Sequence, residues 1–318
     1  MRLPFTHAAD FRRERDFGQK ISATIDFIAG HWRPLGRVLL YFVLPAAILR
    51  SALSVLVQYR LPIQGLQRAP GQPFDSTQML AMQGNMWEAI FTSPAYWLNS
   101  LAGSIFFTVL LLSTYGYVVL LLERRTAGPP VTVAEVGAVL RREFVGTIFS
   151  LWAIGLLISA GFLFCIVPGV YLGVVFSLFF VVKLAEGTTV GETLRRCFYL
   201  MRQKWWSTFG LLLVSLLLFY IVLAGQGAIV VLLSGGLQGV FNALRDQSPW
   251  VTVFFTSIGS IATLLLYPPL LLVLAFQYFN LVERTDGTGM RLLVGSLGQT
   301  PAPQANSTAY RPDDDGEY

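Results

Sequence analysis

Six long apolar stretches limit what this chain can fold into. Each is long enough, or nearly so, for a helix to cross the hydrocarbon of a bilayer, which takes about 20 mostly apolar residues. Only 13% of the residues are charged, whereas a soluble domain usually has about 25%. The sequence therefore predicts an all-α fold, a polytopic membrane helical bundle of six transmembrane helices. The predicted spans are Leu35–Val57, Tyr96–Leu122, Phe144–Cys165, Pro168–Val182, Ser207–Leu233 and Trp250–Val282.

Two features predict the shape of individual spans. Only Ile166 and Val167 separate the third span from the fourth, which predicts a tight hairpin with Pro168 in the first turn of the returning helix. The sixth span contains Pro268 and Pro269. Because proline removes a backbone donor and clashes with the preceding turn, we expect a kink or a break there.

The basic residues orient the chain, because cytoplasmic loops retain Lys and Arg. With the N-terminus placed inside and the spans alternating, the inside segments hold nineteen of the 23 basic residues. The outside loops hold three, and Arg50 lies within the first span. The sequence therefore predicts a multi-pass protein with both termini in the cytoplasm.

The cytoplasmic segments have the pattern of amphipathic interfacial helices. An apolar stripe at helical spacing precedes the first span and consists of Phe17, Ile21, Ile25, Ile28 and Trp32. Both long cytoplasmic loops begin with a capping box, in which Thr is followed three residues later by Glu. The two pairs are Thr132 with Glu135 and Thr189 with Glu192. Each interfacial helix precedes a pair of spans, a pattern that fits either a true internal repeat or the general tendency of such loops to form capped basic helices.

These patterns divide the chain into three parts. Residues 1–34 form a cytoplasmic segment with an amphipathic helix, and residues 35–284 form the six-helix transmembrane domain. Residues 285–318 form a cytoplasmic tail, which we expect to be disordered because it is rich in polar residues and proline. The first outside loop is the only long one, and residues 78–91 within it are predicted to form a helix.

Two groups of residues are candidates for function. The cytoplasmic interface offers basic side chains that could bind anionic lipid or a partner: Arg141, Arg142, Arg195, Arg196, Arg202 and Lys204. Within the spans, Arg50, Asn99 and Gln277 could line a cavity. For Arg50 the alternative is that its side chain snorkels to the outer boundary. For the two amides the alternative is an interhelical hydrogen bond.

The sequence lacks most of the patterns that carry catalysis in membrane proteins. No His-Glu-x-x-His motif and no glycine-rich phosphate loop is present. No span contains His, Asp or Glu away from its ends, which disfavours proton- or sodium-coupled transport. We expect no metal site and no cofactor. An enzyme would need a site at the cytoplasmic interface around Glu186, Glu192 and Arg195.

An ordered series of motifs covers about Ile148–Gly287. It contains Val167-Pro-Gly-Val-Tyr-Leu172, Glu186, Glu192-Thr-Leu-Arg-Arg-Cys197, the aromatic run that ends at Trp206, and the closing segment Gln277–Arg284. The series resembles the bacterial integral-membrane family labelled "glycerophosphoryl diester phosphodiesterase membrane domain", although that family usually has Ser at the position of Cys197. The resemblance implies a bacterial inner (cytoplasmic) membrane protein. It does not imply phosphodiesterase activity, because that chemistry belongs to a separate barrel of about 250 residues, of which this sequence has no sign.

The features together predict a non-enzymatic membrane protein that binds anionic lipid headgroups or a membrane protein partner through its basic interfacial helices. The alternative is an uncoupled permease or lipid-translocating protein with a cavity between its helices. Nucleic acid is not expected as a partner, because the basic residues flank apolar runs instead of clustering on a soluble face. The sequence indicates no oligomeric state.

Overall fold

The computed structural model describes residues 5, 8–60, 92–124, 130–202, 204–233 and 249–287. Every regular element in these ranges is helical, so the all-α prediction is confirmed. The predicted helix at residues 78–91 and the tail beyond residue 287 lie outside these ranges. The elements are α1 (Ala8–Phe11), α2 (Phe17–Val38), a π-helical turn (Leu39–Val43), α3 (Leu44–Arg60), α4 (Pro94–Glu123), α5 (Val133–Phe164), α6 (Ile166–Phe176), α7 (Phe179–Glu186), α8 (Val190–Met201), α9 (Trp205–Leu233) and α10 (Pro249–Asp286).

Six helical stretches of the described chain are long and apolar enough to cross a membrane, which is the predicted number. Each predicted span overlaps one of them. The stretches are Phe17–Ser54, Pro94–Glu123, Val133–Phe164, Ile166–Glu186, Trp205–Gly225 and Leu266–Asp286.

The outside of the bundle is strongly apolar. On α5, Phe149 is 69% exposed and Leu156 is 72% exposed, and Leu217 and Ile221 on α9 are also exposed. Such a surface in water would drive aggregation, whereas lipid tails cover it without cost. The exposed apolar faces are therefore those that lipid covers in a membrane-embedded bundle.

Helices α4 and α10 form the centre of the bundle. Helix α4 packs against α3 and α5, and α10 packs against α2, α3 and α9. The side chains of α4 from Phe106 to Val118 are almost all buried, as are those of α10 from Leu271 to Val282. The two central helices therefore have apolar residues on all sides, as expected for helices surrounded by others.

The N-terminal amphipathic helix is continuous with the first span. Helix α2 begins at Phe17, and the chain stays helical through the π turn into α3. The boundary predicted between residues 34 and 35 therefore lies inside a helix. Most of the apolar stripe faces outward, with Ile25 and Trp32 exposed, whereas Lys20, Phe27 and His31 on the adjacent side are buried. The stripe is thus directed mainly toward lipid or the interface, although Ile28 at its edge packs against the core.

The hairpin between the third and fourth spans is tighter than predicted. Cys165 alone separates α5 from α6, with an extended backbone, and Pro168 lies in the first turn of α6 as expected. Gly161 and Gly169 let the two helices approach at the turn: a Cβ added to Gly169 would lie 2.4 Å from Phe162 Cγ. The returning span is interrupted at Ser177 and Leu178, between α6 and α7.

The prolines of the sixth span do not break the helix. Helix α10 runs from Pro249 to Asp286 through Pro268 and Pro269, so of the kink or break expected there, the break does not occur, and the kink stays a prediction. Each proline removes one backbone donor, and a buried helix held by packing on several sides can tolerate that loss. The same helix extends into the predicted tail and ends at Gly287, whose φ of 61° is a conformation that glycine adopts without strain.

The N-terminus closes one end of the bundle. Phe5, Phe11 and Phe27 form a ring cluster with Phe276 of α10, with ring centroids 5.3–6.1 Å apart. The backbone N–H of Arg15 donates to Asn280 Oδ1 at 2.8 Å. We call this end, which also carries α8 and the ends of α7 and α10, the N-terminal end. The hairpin at Cys165 lies at the opposite end.

The two cysteines test the orientation inferred from the basic residues. Cys165 is exposed and Cys197 on α8 is buried. Burial raises the pKa of the Cys197 thiol to about 12, which leaves almost no reactive thiolate at neutral pH. We expect a membrane-impermeant maleimide added to intact cells to label Cys165 only, and the Cys165→Ser variant to remain unlabelled. If Cys165 is labelled only after the membrane is opened, the orientation is the opposite of the predicted one.

Candidate functional site

Helix α8 presents a basic and aromatic face at the N-terminal end. Its buried side carries Thr193, Cys197, Leu200 and Met201. The exposed side carries Arg195, Phe198, Tyr199 and Arg202, which are spaced by three or four residues as on one side of a helix. We call Arg195, Arg202 and the following Lys204 the basic face.

The start of α8 is fixed by the predicted capping box. The backbone N–H of Thr189 donates to the Glu192 carboxylate at 2.9 Å, and the Thr189 hydroxyl donates to it at 2.8 Å. These hydrogen bonds, first the one from the backbone, lower the pKa of Glu192 below its usual range. Glu192 is therefore charged at neutral pH and is engaged in capping the helix.

The turn from α8 into α9 adds charge and aromatic rings. Arg202 and Lys204 are exposed there, next to Trp205 and Trp206. The indole N–H of Trp205 donates to the Tyr171 carbonyl at 3.4 Å, whereas Trp206 is 77% exposed. Indole rings beside basic side chains are typical of helix ends that lie at the level of lipid headgroups.

The other predicted basic pair lies on α5. Arg141 and Arg142 are both exposed. Arg142 Nε lies 3.0 Å from Glu143 Oε1, and Arg141 Nε donates weakly to the Gly137 carbonyl at 3.4 Å. An exposed ion pair contributes little to stability and exchanges readily, so both guanidinium groups are accessible to an external anion.

Arg196 has a different environment from the other five predicted binding residues. Its Nε donates to Glu186 Oε1 at 2.9 Å, and its Nη2 donates to the Asp286 carboxylate. The Tyr278 hydroxyl also donates to Glu186 Oε1, at 3.0 Å. Burial by itself would lower the pKa of Arg196, but the hydrogen bonds to Asp286 and Glu186 raise it above the ordinary value. Arg196 therefore ties α8 to the ends of α7 and α10.

The arrangement also bears on the enzyme alternative. Glu186 is bonded to Arg196 and Tyr278, and Glu192 caps α8, so neither carboxylate points with Arg195 into a common pocket. In the described part of the chain, no group of three or more His, Cys, Asp or Glu side chains could hold a metal ion. The three residues that an enzyme would need have structural partners or point outward.

The structure brings together two of the three predicted cavity residues. Arg50 of α3 and Asn99 of α4 line a groove of about 360 Å³ with Ser100, Gly103 and Ser104, together with Phe107, Leu151 and Tyr267. Sequence reasoning did not identify the two serines or Gly103. Their spacing at 100, 103 and 104 places them on the same side of α4 as Asn99, which is the signal that could have found them.

Gln277 lies elsewhere. It is completely buried between α10 and α9, and its Nε2 donates to Thr208 Oγ1 at 2.8 Å. This hydrogen bond is the interhelical alternative considered for the amide side chains of the spans. Gln277 thus joins two helices and does not line the groove.

Comparisons of the chain with protein-family models, with curated proteins and with solved structures find no match. The family resemblance described above therefore rests on the residues of this sequence alone. The motifs behind it occupy defined places: Pro168 and Gly169 lie at the start of α6, next to the hairpin turn, and Glu186 and Arg196 form the ion pair at the N-terminal end.

Adjacent arginines on α8 allow a matched test of the ion-pair cluster. Replacing Arg196 with Gln removes two charge-assisted hydrogen bonds, so we expect a loss of about 1–3 kcal/mol in the free energy of unfolding. Arg195→Gln changes the same charge at an exposed position and should cost less than about 0.5 kcal/mol. Unfolding in a mild detergent, followed by circular dichroism, measures both. Equal stability of the two variants would mean that the cluster does not hold the helices together.

Proposed function

We propose that this chain is a non-enzymatic integral protein of the bacterial inner membrane that binds anionic lipid headgroups through its basic face. The observation that supports this most directly is the exposure of Arg195, Arg202 and Lys204 beside exposed aromatic rings at the end of a membrane-spanning helix. Arg141 and Arg142 add two further accessible cations. They lie in the first part of α5, which the proposed topology places on the same side of the membrane as the basic face. Both termini lie in the cytoplasm in this proposal.

Electrostatics favours lipid as the counterion. The cytoplasmic leaflet is negatively charged, and each basic residue near it contributes roughly 1 kcal/mol of attraction. The exposed rings of Phe198, Tyr199 and Trp206 can enter the headgroup layer, which would hold the guanidinium and ammonium groups at phosphate depth. An acidic segment of a membrane protein partner would satisfy the same charges, and binding of such a partner is the other outcome of the tests.

The second candidate is an uncoupled permease or a lipid-translocating protein. The groove at Arg50 and Asn99 favours it, because it is a polar opening among membrane-spanning helices. The packing around Gln277 argues against a continuous path, since that side chain is buried between α9 and α10 and bonded to Thr208. Lipid binding without transport therefore agrees better with the described residues.

A triple substitution tests the basic face. We expect Arg195→Gln, Arg202→Gln and Lys204→Gln combined to weaken binding of phosphatidylglycerol to the detergent-solubilised protein by tenfold to about a hundredfold, given roughly 1 kcal/mol per charge. Native mass spectrometry of the protein titrated with the lipid measures this. Wild-type binding should also weaken with rising salt, because the attraction is screened.

A matched variant controls for loss of net charge. The combination of Arg13→Gln, Arg33→Gln and Arg37→Gln also removes three positive charges from exposed positions of the N-terminal segment and α2. It should retain most of the phosphatidylglycerol binding, and phosphatidylcholine should bind equally weakly to all forms. An unchanged affinity in the first triple variant would rule out the basic face as the lipid site.

A further inference from the structure

Arg50 is exposed on the side of the bundle, and its side chain is directed along α4 away from the start of that helix. Helix α4 runs from Pro94 inward, so that Gly103 and then Phe106 lie progressively deeper along it. Arg50 Nε lies 3.9 Å from the position of a Cβ added to Gly103, and the guanidinium lies over the Phe106 ring, 5.1 Å from its centroid. A side chain that snorkelled to the near boundary would instead extend toward the start of α4.

The guanidinium has no anionic partner among the described residues. The six ion pairs found there involve other arginines, and Arg50 contacts the Phe106 ring. A cation–π contact offsets part of the cost of holding a charge within a membrane, but it supplies no hydrogen-bond acceptor for the guanidinium N–H donors. Charged residues inside a membrane usually face a partner or a site of function.

The groove around Arg50 is polar and open. Asn99, Ser100 and Ser104 line it, and Asn99 Oδ1 is buried with no hydrogen-bond partner among the residues that the structure describes. Since the two ends of an amide are interchangeable in their assignment, Asn99 can present either a donor or an acceptor to the groove. Its volume of about 360 Å³ is at the lower end of the range of ligand-binding clefts.

The surface beside the groove is apolar. Leu49 next to Arg50 is 52% exposed, and Leu98 and Leu101 beside Asn99 and Ser100 are 52% and 46% exposed. A soluble anion would gain nothing from contact with this apolar surface. An anionic amphiphile, in contrast, would place its headgroup in the groove and its acyl chains along these leucine side chains. A cation without an anionic partner in the described ranges, polar groove walls and apolar flanks together match an anionic lipid.

We propose that the groove between α3 and α4 is a binding site for the phosphate of an anionic membrane lipid, with Arg50 as its cationic anchor and Asn99 as a hydrogen-bonding side chain. The site lies at the opposite end of the bundle from the basic face. It does not depend on the function proposed for that face.

A reporter at the mouth of the groove tests the site. In the full-length protein with Cys165→Ser, Leu101→Cys carries a small fluorophore outside the groove lining. Lipids with brominated acyl chains quench the fluorophore when they occupy the site. We expect brominated phosphatidylglycerol to reach half of the maximal quenching at about a tenfold lower mole fraction than brominated phosphatidylcholine, as for a charge-assisted contact.

Three variants identify the residues responsible. Arg50→Gln should abolish the preference for phosphatidylglycerol, and Gly103→Leu should reduce it by filling the groove without a change of charge. Arg37→Gln removes an exposed arginine of α2 and should leave the preference intact, as should the triple Gln variant of the basic face. Thermal unfolding of each variant verifies that it is folded.

Two results would overturn the proposal. One is a phosphatidylglycerol preference that persists in folded Arg50→Gln or is missing in the parent protein. The other is loss of the preference on addition of millimolar inorganic phosphate, which would assign the groove to a free anion instead of a lipid. If the phosphatidylglycerol preference is lost in the basic-face variant but kept in Arg50→Gln, the lipid binds at the N-terminal end. That result would also contradict the proposal.

Discussion

Inside a bilayer no water is available to pair a free peptide group, so every backbone N–H and C=O must find its partner within the protein. Helices meet this requirement within a single segment, and some hydroxyl groups in the spans use the same helix carbonyls, whereas those of Thr108, Ser113, Thr114 and Ser215 are buried with no hydrogen-bond partner in the described part of the chain. Ser51, Ser104 and Ser150 each donate to the carbonyl four residues earlier in their own helix. Side chains are then free to be apolar on the outside, as on α5 and α9, while α4 and α10 supply the packed centre.

Three arginines show how the same side chain takes different roles under that constraint. Arg196 is tied to Glu186 and Asp286 and joins α8 to the ends of α7 and α10. Arg195, one residue earlier, points outward and has no carboxylate within ion-pair distance among the described residues. Arg50 lies within a span and stacks on Phe106 beside a polar groove. The partners that each arginine has in the fold, more than the number of arginines, set which guanidinium groups are open to a ligand.

The sequence predicts the number of spans, the α5–α6 hairpin and the capping of α8, because each depends on local composition and on residues a few positions apart. It does not predict that α10 continues through Pro268 and Pro269, since neighbouring helices stabilise that segment. It cannot separate Arg195 from Arg196 either, because the partner Asp286 is 90 residues away. The groove also could not be predicted in full from the sequence. Arg50 and Asn99 line it from two different helices, while Gln277, an amide like Asn99, is hydrogen-bonded to Thr208 elsewhere in the bundle.

If this bundle binds anionic lipid, such lipid should stay with it when it is taken out of its own membrane. The protein would be extracted in native-membrane nanodiscs, and its copurifying molecules identified by mass spectrometry. We expect enrichment of anionic lipid over the bulk membrane composition. A lipid composition equal to that of the bulk membrane, with a stoichiometric protein partner or small solute instead, would contradict it.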